Sequence, residues 1–530
     1  MPAIYTAVMI INRSAPGASV VPVLVYDNVD EALDFLVNAF GFTERLRAGR
    51  VGRTVHAQLL TDSKMFCACS ARYAGAEPNT LVCPICLGMP GVLPVINERA
   101  IEFTVMTALA LNCEIPAFSK FDRKNYNYPD LMKGYQISQY DLPLSRDGWL
   151  EIPDPADPSR TRRLGITRVH LEEDTANLKH VRGAGGETYS LMDVNRSGVP
   201  LMEIVGEPDI RSPEEAGAYL RQLRAVLRYL GVSSGNMEEG AFRCDANVSL
   251  RPRGQTQFGA KVEVKNMNSF RAVVRALDFE IERQRAVLAQ GGRVVQETRG
   301  WVEERGITAS QRSKEAAHDY RYFPEPDLPP LFLDRAWVEA IRARLPELPE
   351  PKRRRFVAEY GLGPDEAATL TASRALADFF EQTVRLGAPA KAAANWVLRD
   401  VLRLLRASGG EIEHSQLRPA HLAGMIALLD AGRLSVRSAP EVLEEMFRTG
   451  AAAEAVVRER GLAQESDEGA LAAVIDRVIA APANQKAVAD YRGGRPAALG
   501  FLVGAVMKET RGKANPGLVN QLLKQKLGAA

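Results

Sequence analysis

Six cysteines in 530 residues are too few for a disulfide-built scaffold. Net charge is also scarce. The chain carries 67 basic and 65 acidic side chains, a balance of only +2, so bulk electrostatics neither demands nor excludes a nucleic-acid partner, and any basic surface must be local. No apolar run reaches the roughly 18 residues that a membrane-spanning helix needs. The opening "MPAIYTAVMIINRSAPG" has no basic segment before its short apolar stretch, which makes it a poor secretion signal and leaves the cytoplasm as the expected compartment. There is no G-x-x-x-x-G-K-[ST], so an ATP site here cannot be a P-loop. There is no internal repeat. With 46% hydrophobic and 25% charged residues, the composition is that of a globular chain of about two to four domains.

Four of the six cysteines fall in one short stretch, "CACSARYAGAEPNTLVCPIC". Cys67 and Cys69 form C-x-C, Cys83 and Cys86 form C-x-x-C, and 13 residues separate the pairs. In a reducing compartment two such pairs suit tetrahedral zinc, each wrapping one side of the ion, with Pro84 setting the turn of the second. Four thiolates leave no open coordination position, so the expected metal is structural. Two unrelated thiol pairs, one of them redox-active, are the alternative. Cys113 and Cys244 stand alone and read as packed thiols.

Residues 20–50 carry a strand pattern, "VVPVLVY", then a helix capped at Asp27 or Asn28 and closed at Gly41, with Ala32, Leu33, Leu36 and Phe40 as its apolar stripe. From Thr54 to Thr308 strands predominate. Two glycine-closed helices interrupt them, at Glu214–Val232 and Ala272–Gly292. Proline-rich connectors follow, and from about Arg353 only amphipathic helical patterns remain.

The strand-rich part is crowded with carboxylates and their companions: His170, Glu172, Glu173 and Asp174; Asp193, Asn195, Arg196, Glu203 and Glu207; Glu238, Glu239, Arg243, Asp245 and Asn247. In "RCDANVS" a period of two puts Arg243, Asp245 and Asn247 on one face and Cys244, Ala246 and Val248 on the other. Hard oxygen ligands converging on one concave sheet suit magnesium and the phosphates of a nucleotide. A solvated sheet face is the alternative. Lys120, Lys124 and Lys133 are interleaved with Tyr126, Tyr128 and Tyr135, which suits a phosphate or nucleic-acid site, a polar passage between buried charges, or ordinary surface pairs.

Read in order, "TDSKMFC", "CPICLGMPGVLPVIN", "SKFDRKNYNYPDLMKGYQISQ", "GITRVHLEEDT", "DVNRSGVPLMEIV", "MEEGAFRCDANVSLR", "EVKNMNSF", "DYRYFPEPDLPPL" and "GFLVGAVMKETRGKANPGLVNQLLKQKL" resemble the B-subunit family of the aspartyl/glutamyl-tRNA(Asn/Gln) amidotransferases, from about Val55 to the C-terminus. The resemblance implies a glutamine-hydrolysing amidotransferase subunit, a carbon–nitrogen ligase (EC 6.3.5.-). It implies ATP-dependent phosphorylation of the side-chain carboxylate on misacylated Glu-tRNA(Gln) or Asp-tRNA(Asn). Ammonia from an amidase-fold A subunit then displaces the phosphate, and a small C subunit completes a heterotrimer. The implied fold class is α+β: a β-rich cradle with a zinc knuckle (51–330), an all-α helical domain (331–410) and an all-α YqeY-like, tRNA-gripping tail (411–530). The implied cofactors are ATP, Mg2+ and structural Zn2+. By the same resemblance, His56, Glu172, Glu173, Glu239, Asp245 and Asn247 form the catalytic set, with His56, Glu173 and Glu239 as magnesium ligands. Cys67, Cys69, Cys83 and Cys86 hold zinc, Lys120, Lys124 and Lys133 mark the ammonia route, and Lys508, Arg511, Lys513, Lys524 and Lys526 meet tRNA.

The chain departs from the family at its front. Where members read roughly G-L-E-V-H, this chain has "VGRTVH": Gly52 and His56 match, while Arg53 and Thr54 replace leucine and glutamate. Positions 54 and 56 share a strand face, so one carboxylate beside His56 becomes a neutral hydroxyl, which weakens a hard-cation site. The alternative function is therefore a non-catalytic tRNA-binding subunit. Residues 1–50 resemble the first strand and helix of a glyoxalase-like module, without the strands that carry its metal ligands. A metalloenzyme of that kind is the least favoured reading.

Overall fold

The computed structural model of the chain describes residues 53–157, 160–183, 185–252, 254–255, 257–313, 320–464, 468–510 and 513–528. The expected N-terminal module at 1–50 and the candidate tRNA contact Arg511 lie outside them. In chain order the strands are β1 (Arg53–Gln58), β2 (Phe118–Ser119), β3 (Asp122–Asn125), β4 (Tyr135–Ser138), β5 (Gly148–Pro153), β6 (Thr161–Glu173), β7 (Asn177–Arg182), β8 (Thr188–Asp193), β9 (Pro200–Gly206), β10 (Phe242–Val248), β11 (Val262–Lys265), β12 (Glu297–Val302), β13 (Ile307–Ser313), β14 (Phe323–Pro324) and β15 (Leu331–Phe332).

Eight of these form one sheet in the order β13-β12-β11-β10-β1-β9-β6-β5. Only β11 and β12 run parallel; the other neighbours are antiparallel. β1, the first strand described, sits in the middle and is paired on both sides, so residues distant in sequence meet across it. The period-two expectation for β10 holds: Phe242, Cys244, Ala246 and Val248 are buried, while Arg243, Asp245 and Asn247 take the other face.

Three helices cover the apolar face: α1 (Glu98–Ala110), α2 (Pro213–Leu230) and α3 (Phe270–Ala289). Ser212 caps α2 by accepting the Glu215 amide at 3.2 Å, and Ser269 caps α3 by accepting the Ala272 amide at 3.1 Å. The second helix ends where Gly231 adopts φ 68°, a left-handed turn that glycine takes without a Cβ clash. Tyr219, Leu220 and Leu223 of α2 and Val273 and Leu277 of α3 join Val55, Ala57, Cys244 and Ala246 in one buried cluster. The lone thiols Cys113 and Cys244 are both buried in it, as packed thiols.

Beyond the sheet come α4 (Arg335–Ala343), α5 (Pro349–Tyr360), α6 (Pro364–Leu370) and further helices, with no strand of the sheet among them. The chain is therefore α+β, a sheet-bearing part followed by a helical part. A second apolar cluster runs from Phe356 to Val457 and a third from Leu471 to Leu527. The division expected at 410/411 passes through the second cluster, whose members on both sides pack together. Among the described residues no helix is long and apolar enough to cross a membrane.

Candidate functional site

The face of the sheet opposite the helices concentrates charge where β10, β1, β9 and β6 run side by side. His56 on β1 lies opposite Arg243 on β10 and opposite Glu203 on β9, and Glu203 lies opposite His170 on β6. One rung across four strands is thus Arg–His–Glu–His. Two residues along β6, on the same face, stands Glu172. His56 Nε2 is 3.4 Å from Glu203 Oε2 and 3.7 Å from Glu172 Oε1, and His170 Nε2 is 3.3 Å from the same Glu203 oxygen. One ligand atom each from His56, Glu172 and Glu203 lie within 4.8 Å of one another.

Burial penalises the carboxylate of Glu203, but the imidazoles of His170 and His56 outweigh it and hold its pKa well below the usual carboxylate range. Burial likewise disfavours a charged His56, and Glu203 and Glu172 overcome it, so the imidazole pKa is raised. A proton on His56 and a divalent cation therefore compete for the same two carboxylates.

Cations ring this cluster. Lys124 Nζ stands 4.0 Å from Glu172 Oε2 and faces the rings of Tyr320 and Tyr126 at 5.2 and 5.9 Å. Burial opposes its charge, but Glu172 then raises its pKa. Arg243 donates to Asp174 Oδ2 at 2.8 Å, and Gln58 Nε2 donates to the same oxygen at 2.6 Å. Lys265 Nζ donates to Asp245 Oδ2 at 2.9 Å. His56, Lys124, Glu172, Arg243, Asp245 and Lys265 all line one open cleft of about 380 Å³. A cleft with two adjacent carboxylates and flexible cations around them is suited to a polyphosphate carried with a divalent metal. The donor set fits such an ion: Glu172 and Glu203 would offer hard oxygen ligands and His56 a third ligand atom.

The four cysteines form the other cluster. Their sulfurs also lie within 4.8 Å of one another. The Cys83 and Cys86 sulfurs are 3.9 Å apart, against about 3.8 Å for two thiolates at zinc–sulfur distance on one edge of a tetrahedron. The Cys83 amide donates to Cys86 Sγ at 3.0 Å. A hydrogen bond from Cys67, reinforced by the Lys64 charge, brings the Cys86 thiol down to about 4, and a thiolate is the form a metal binds. Lys64 is 1% exposed and gives its ammonium to the carbonyls of Leu81 at 2.9 Å and Val194 at 3.4 Å.

Two residues expected in the magnesium set lie elsewhere. Glu173 follows Glu172 on β6 and so points away from it. It accepts from the Ile137 amide at 3.0 Å and pairs with Lys133 in a separate cavity of about 230 Å³ that Cys67 and Cys86 also line. Glu239 is exposed in the turn before β10. The second carboxylate beside His56 and Glu172 is Glu203, the one acid in "PLMEIVG", an otherwise apolar strand. Asn247 lies opposite Glu263 on β11, two residues beyond Asp245. Thr54 lies opposite Asp245 and Val205, on the face of His56. Of the three lysines, only Lys124 lines the cleft. Lys120 pairs with Asp122 and Asp141. In the third cluster's region Lys508, Lys513, Lys524 and Lys526 are exposed, the last paired with Asp476.

Residues 50–339 match the family model described as the GatB/GatE catalytic domain, and residues 378–527 match the one described as the GatB domain. Curated relatives, each named as the B subunit of an aspartyl/glutamyl-tRNA(Asn/Gln) amidotransferase, align over 90% of this chain. That of Carboxydothermus hydrogenoformans is 55% identical over 98% of its own length, that of Moorella thermoacetica 57% over 99%, and that of Thermomicrobium roseum 59% over 98%.

Proposed function

Because the chain belongs to the B-subunit family of these amidotransferases, we propose that it converts misacylated Glu-tRNA(Gln), Asp-tRNA(Asn) or both into the cognate amide forms with ATP, as one member of a heterotrimer with an amidase-fold A subunit and a small C subunit. A side-chain carboxylate is a poor electrophile. Transfer of the γ-phosphoryl group of ATP to one of its oxygens yields an acyl phosphate and ADP. Ammonia then attacks the acyl carbon, the carbon–oxygen bond to phosphate breaks, and the amide and phosphate leave. The observation that carries this reading is the convergence of His56, Glu172 and Glu203, the first two of which line one cationic cleft.

In that cleft Lys124, Arg243 and Lys265 attract and orient the triphosphate oxygens, since phosphoryl transfer rests on positioning and on neutralising charge. Glu203 keeps both imidazoles turned toward it. Glu172, Glu203 and His56 would hold a magnesium ion, which would supply further neutralisation of the phosphates. Asp174 holds Arg243 in place, and Asp245 holds Lys265. The four cysteines take a structural zinc, and Lys64 is the buried positive charge beside that dianionic centre. Lys133 and Glu173 make the neighbouring cavity polar, which suits passage of ammonia. The exposed lysines of the last helices suit a tRNA backbone.

The test is formation of Gln-tRNA(Gln) by the reconstituted three-subunit complex with ammonium chloride as nitrogen source. Amide should appear only with ATP and magnesium and should be lost in Glu203→Gln. Amide formed at an unchanged rate in that variant would remove the cleft from the reaction. A complex that binds tRNA but neither hydrolyses ATP nor forms amide would favour the non-catalytic reading, which Thr54 motivates.

A further inference from the structure

On the helix-covered side of the sheet, away from the carboxylate cleft, a third cavity, of about 470 Å³, lies between α2, the start of α3 and the helices α5 and α6. Arg221, Arg224 and Arg228, at spacings of three and four along α2, share one face of that helix, and Arg353 of α5 faces them. Two of the four are neutralised. Arg228 donates to Glu411 at 2.6 Å, and Arg353 donates to both oxygens of Glu350 at 2.9 and 2.7 Å. The remaining acid in the lining, Asp154, accepts a backbone amide from Ala156 at 2.9 Å.

Arg221 and Arg224 have no carboxylate partner among the described residues. The Nε of Arg224 is fully buried and makes no hydrogen bond there, while its guanidinium stands 5.8 Å from the centre of the Phe270 ring. Burial, and then the like charge of Arg228, press against the charge on Arg224. A buried N–H without an acceptor costs free energy, and the rest of this half-buried guanidinium lines the cavity, where an oxyanion can meet it.

We infer that this arginine cavity binds backbone phosphates of the tRNA. Guanidinium forks match phosphate oxygens two at a time. The two unpaired guanidinia, of Arg221 and Arg224, stand about 4.5 Å apart along the helix, three residues at 1.5 Å each, so that each can take an oxygen of a phosphate strand laid along α2. The cavity also lies where the sheet-bearing part meets the helical part. The inference rests on the reading of the substrate as tRNA and adds a contact that neither the cleft nor the tail provides.

The test is tRNA binding by the three-subunit complex across a salt series, comparing wild type with Arg221→Gln/Arg224→Gln. The double variant should bind roughly tenfold more weakly near 0.1 M salt, and its slope of log affinity against log salt should be shallower by about 1–2. Arg221→Lys/Arg224→Lys, which keeps the charge, should restore the slope. If the double variant does not fold, the exposed Arg221→Gln alone should show about half the change in slope. Wild-type affinity and slope in a folded double variant would overturn the inference and leave the functional reading intact. Loss of a partner subunit with the tRNA slope unchanged would also overturn it, assigning the cavity to an acidic protein segment. A wild-type complex that bound no tRNA would overturn both.

Discussion

The two ligand clusters are built in opposite ways. The cysteine cluster comes from one loop, with Cys67 and Cys86 only 19 positions apart. The carboxylate cluster comes from three neighbouring strands, with His56, Glu172 and Glu203 brought together only by register. A loop can hold its ligands whatever the rest of the chain does. A cross-strand cluster depends on every pairing being in place, because a one-residue slip of β6 would turn Glu172 out and Glu173 in. The first is therefore expected to fail locally, and the second cooperatively.

The largest effect should come from the loop. Cys83→Ser/Cys86→Ser removes half the thiolates, and structural zinc is worth on the order of 10 kcal/mol to small zinc domains. Elemental analysis should fall from one zinc per chain to none, and the melting temperature should fall with it. Zinc retained at one per chain would erase the contrast between the clusters.

Next comes the cleft. Glu203→Gln should lower the rate of amide formation about 100- to 1000-fold, the scale of losing one preorganised electrostatic partner. Glu173→Gln, one residue from Glu172 but on the other face, should cost about tenfold or less with ammonium chloride as donor. Equal losses would mean that face, and hence register, does not decide which acid acts.

A smaller effect is expected on stability. Asp174 is buried, and Asp174→Asn strands Arg243 and Arg196, costing about 3 kcal/mol at neutral pH. Burial raises the Asp174 pKa, but Arg243 and Arg196 overcome it and the net shift is downward. A carboxylate lowered on folding stabilises the fold above its unfolded value of about 4, and that contribution is lost as pH falls through the lower folded value. Urea midpoints of wild type and variant should therefore diverge above about pH 5 and converge as pH falls through the lowered folded value. A gap independent of pH would show that the pair is not ionic.

Smallest of all, Thr54→Glu should tighten magnesium about tenfold, by adding a carboxylate beside His56 and opposite Asp245. The check is the magnesium dependence of amide formation. No gain would mean that Glu172 and Glu203 suffice.

The same contrast explains what was legible in the sequence. The cysteine spacing marked its cluster directly because the ligands are local. Helices α2 and α3 were legible from apolar periodicity and closing glycines, and the two faces of β10 from strict alternation. The cleft was legible only as a crowd of acids. Strand order, not composition, places Glu203 rather than Glu173 or Glu239 beside His56 and Glu172, and nothing in a single strand states its neighbours. The arginine cavity was hidden for the same reason: nothing in the sequence of α2 tells that α5 and α6 stand beside Arg221, Arg224 and Arg228.

The most direct measurement is anomalous diffraction from the complex with ATP and manganese in place of magnesium. A manganese peak coordinated by Glu172 and Glu203 beside His56 is the expected result. A peak at Glu173 or Glu239, or none in this cleft while ATP is bound elsewhere, would contradict the account at its centre.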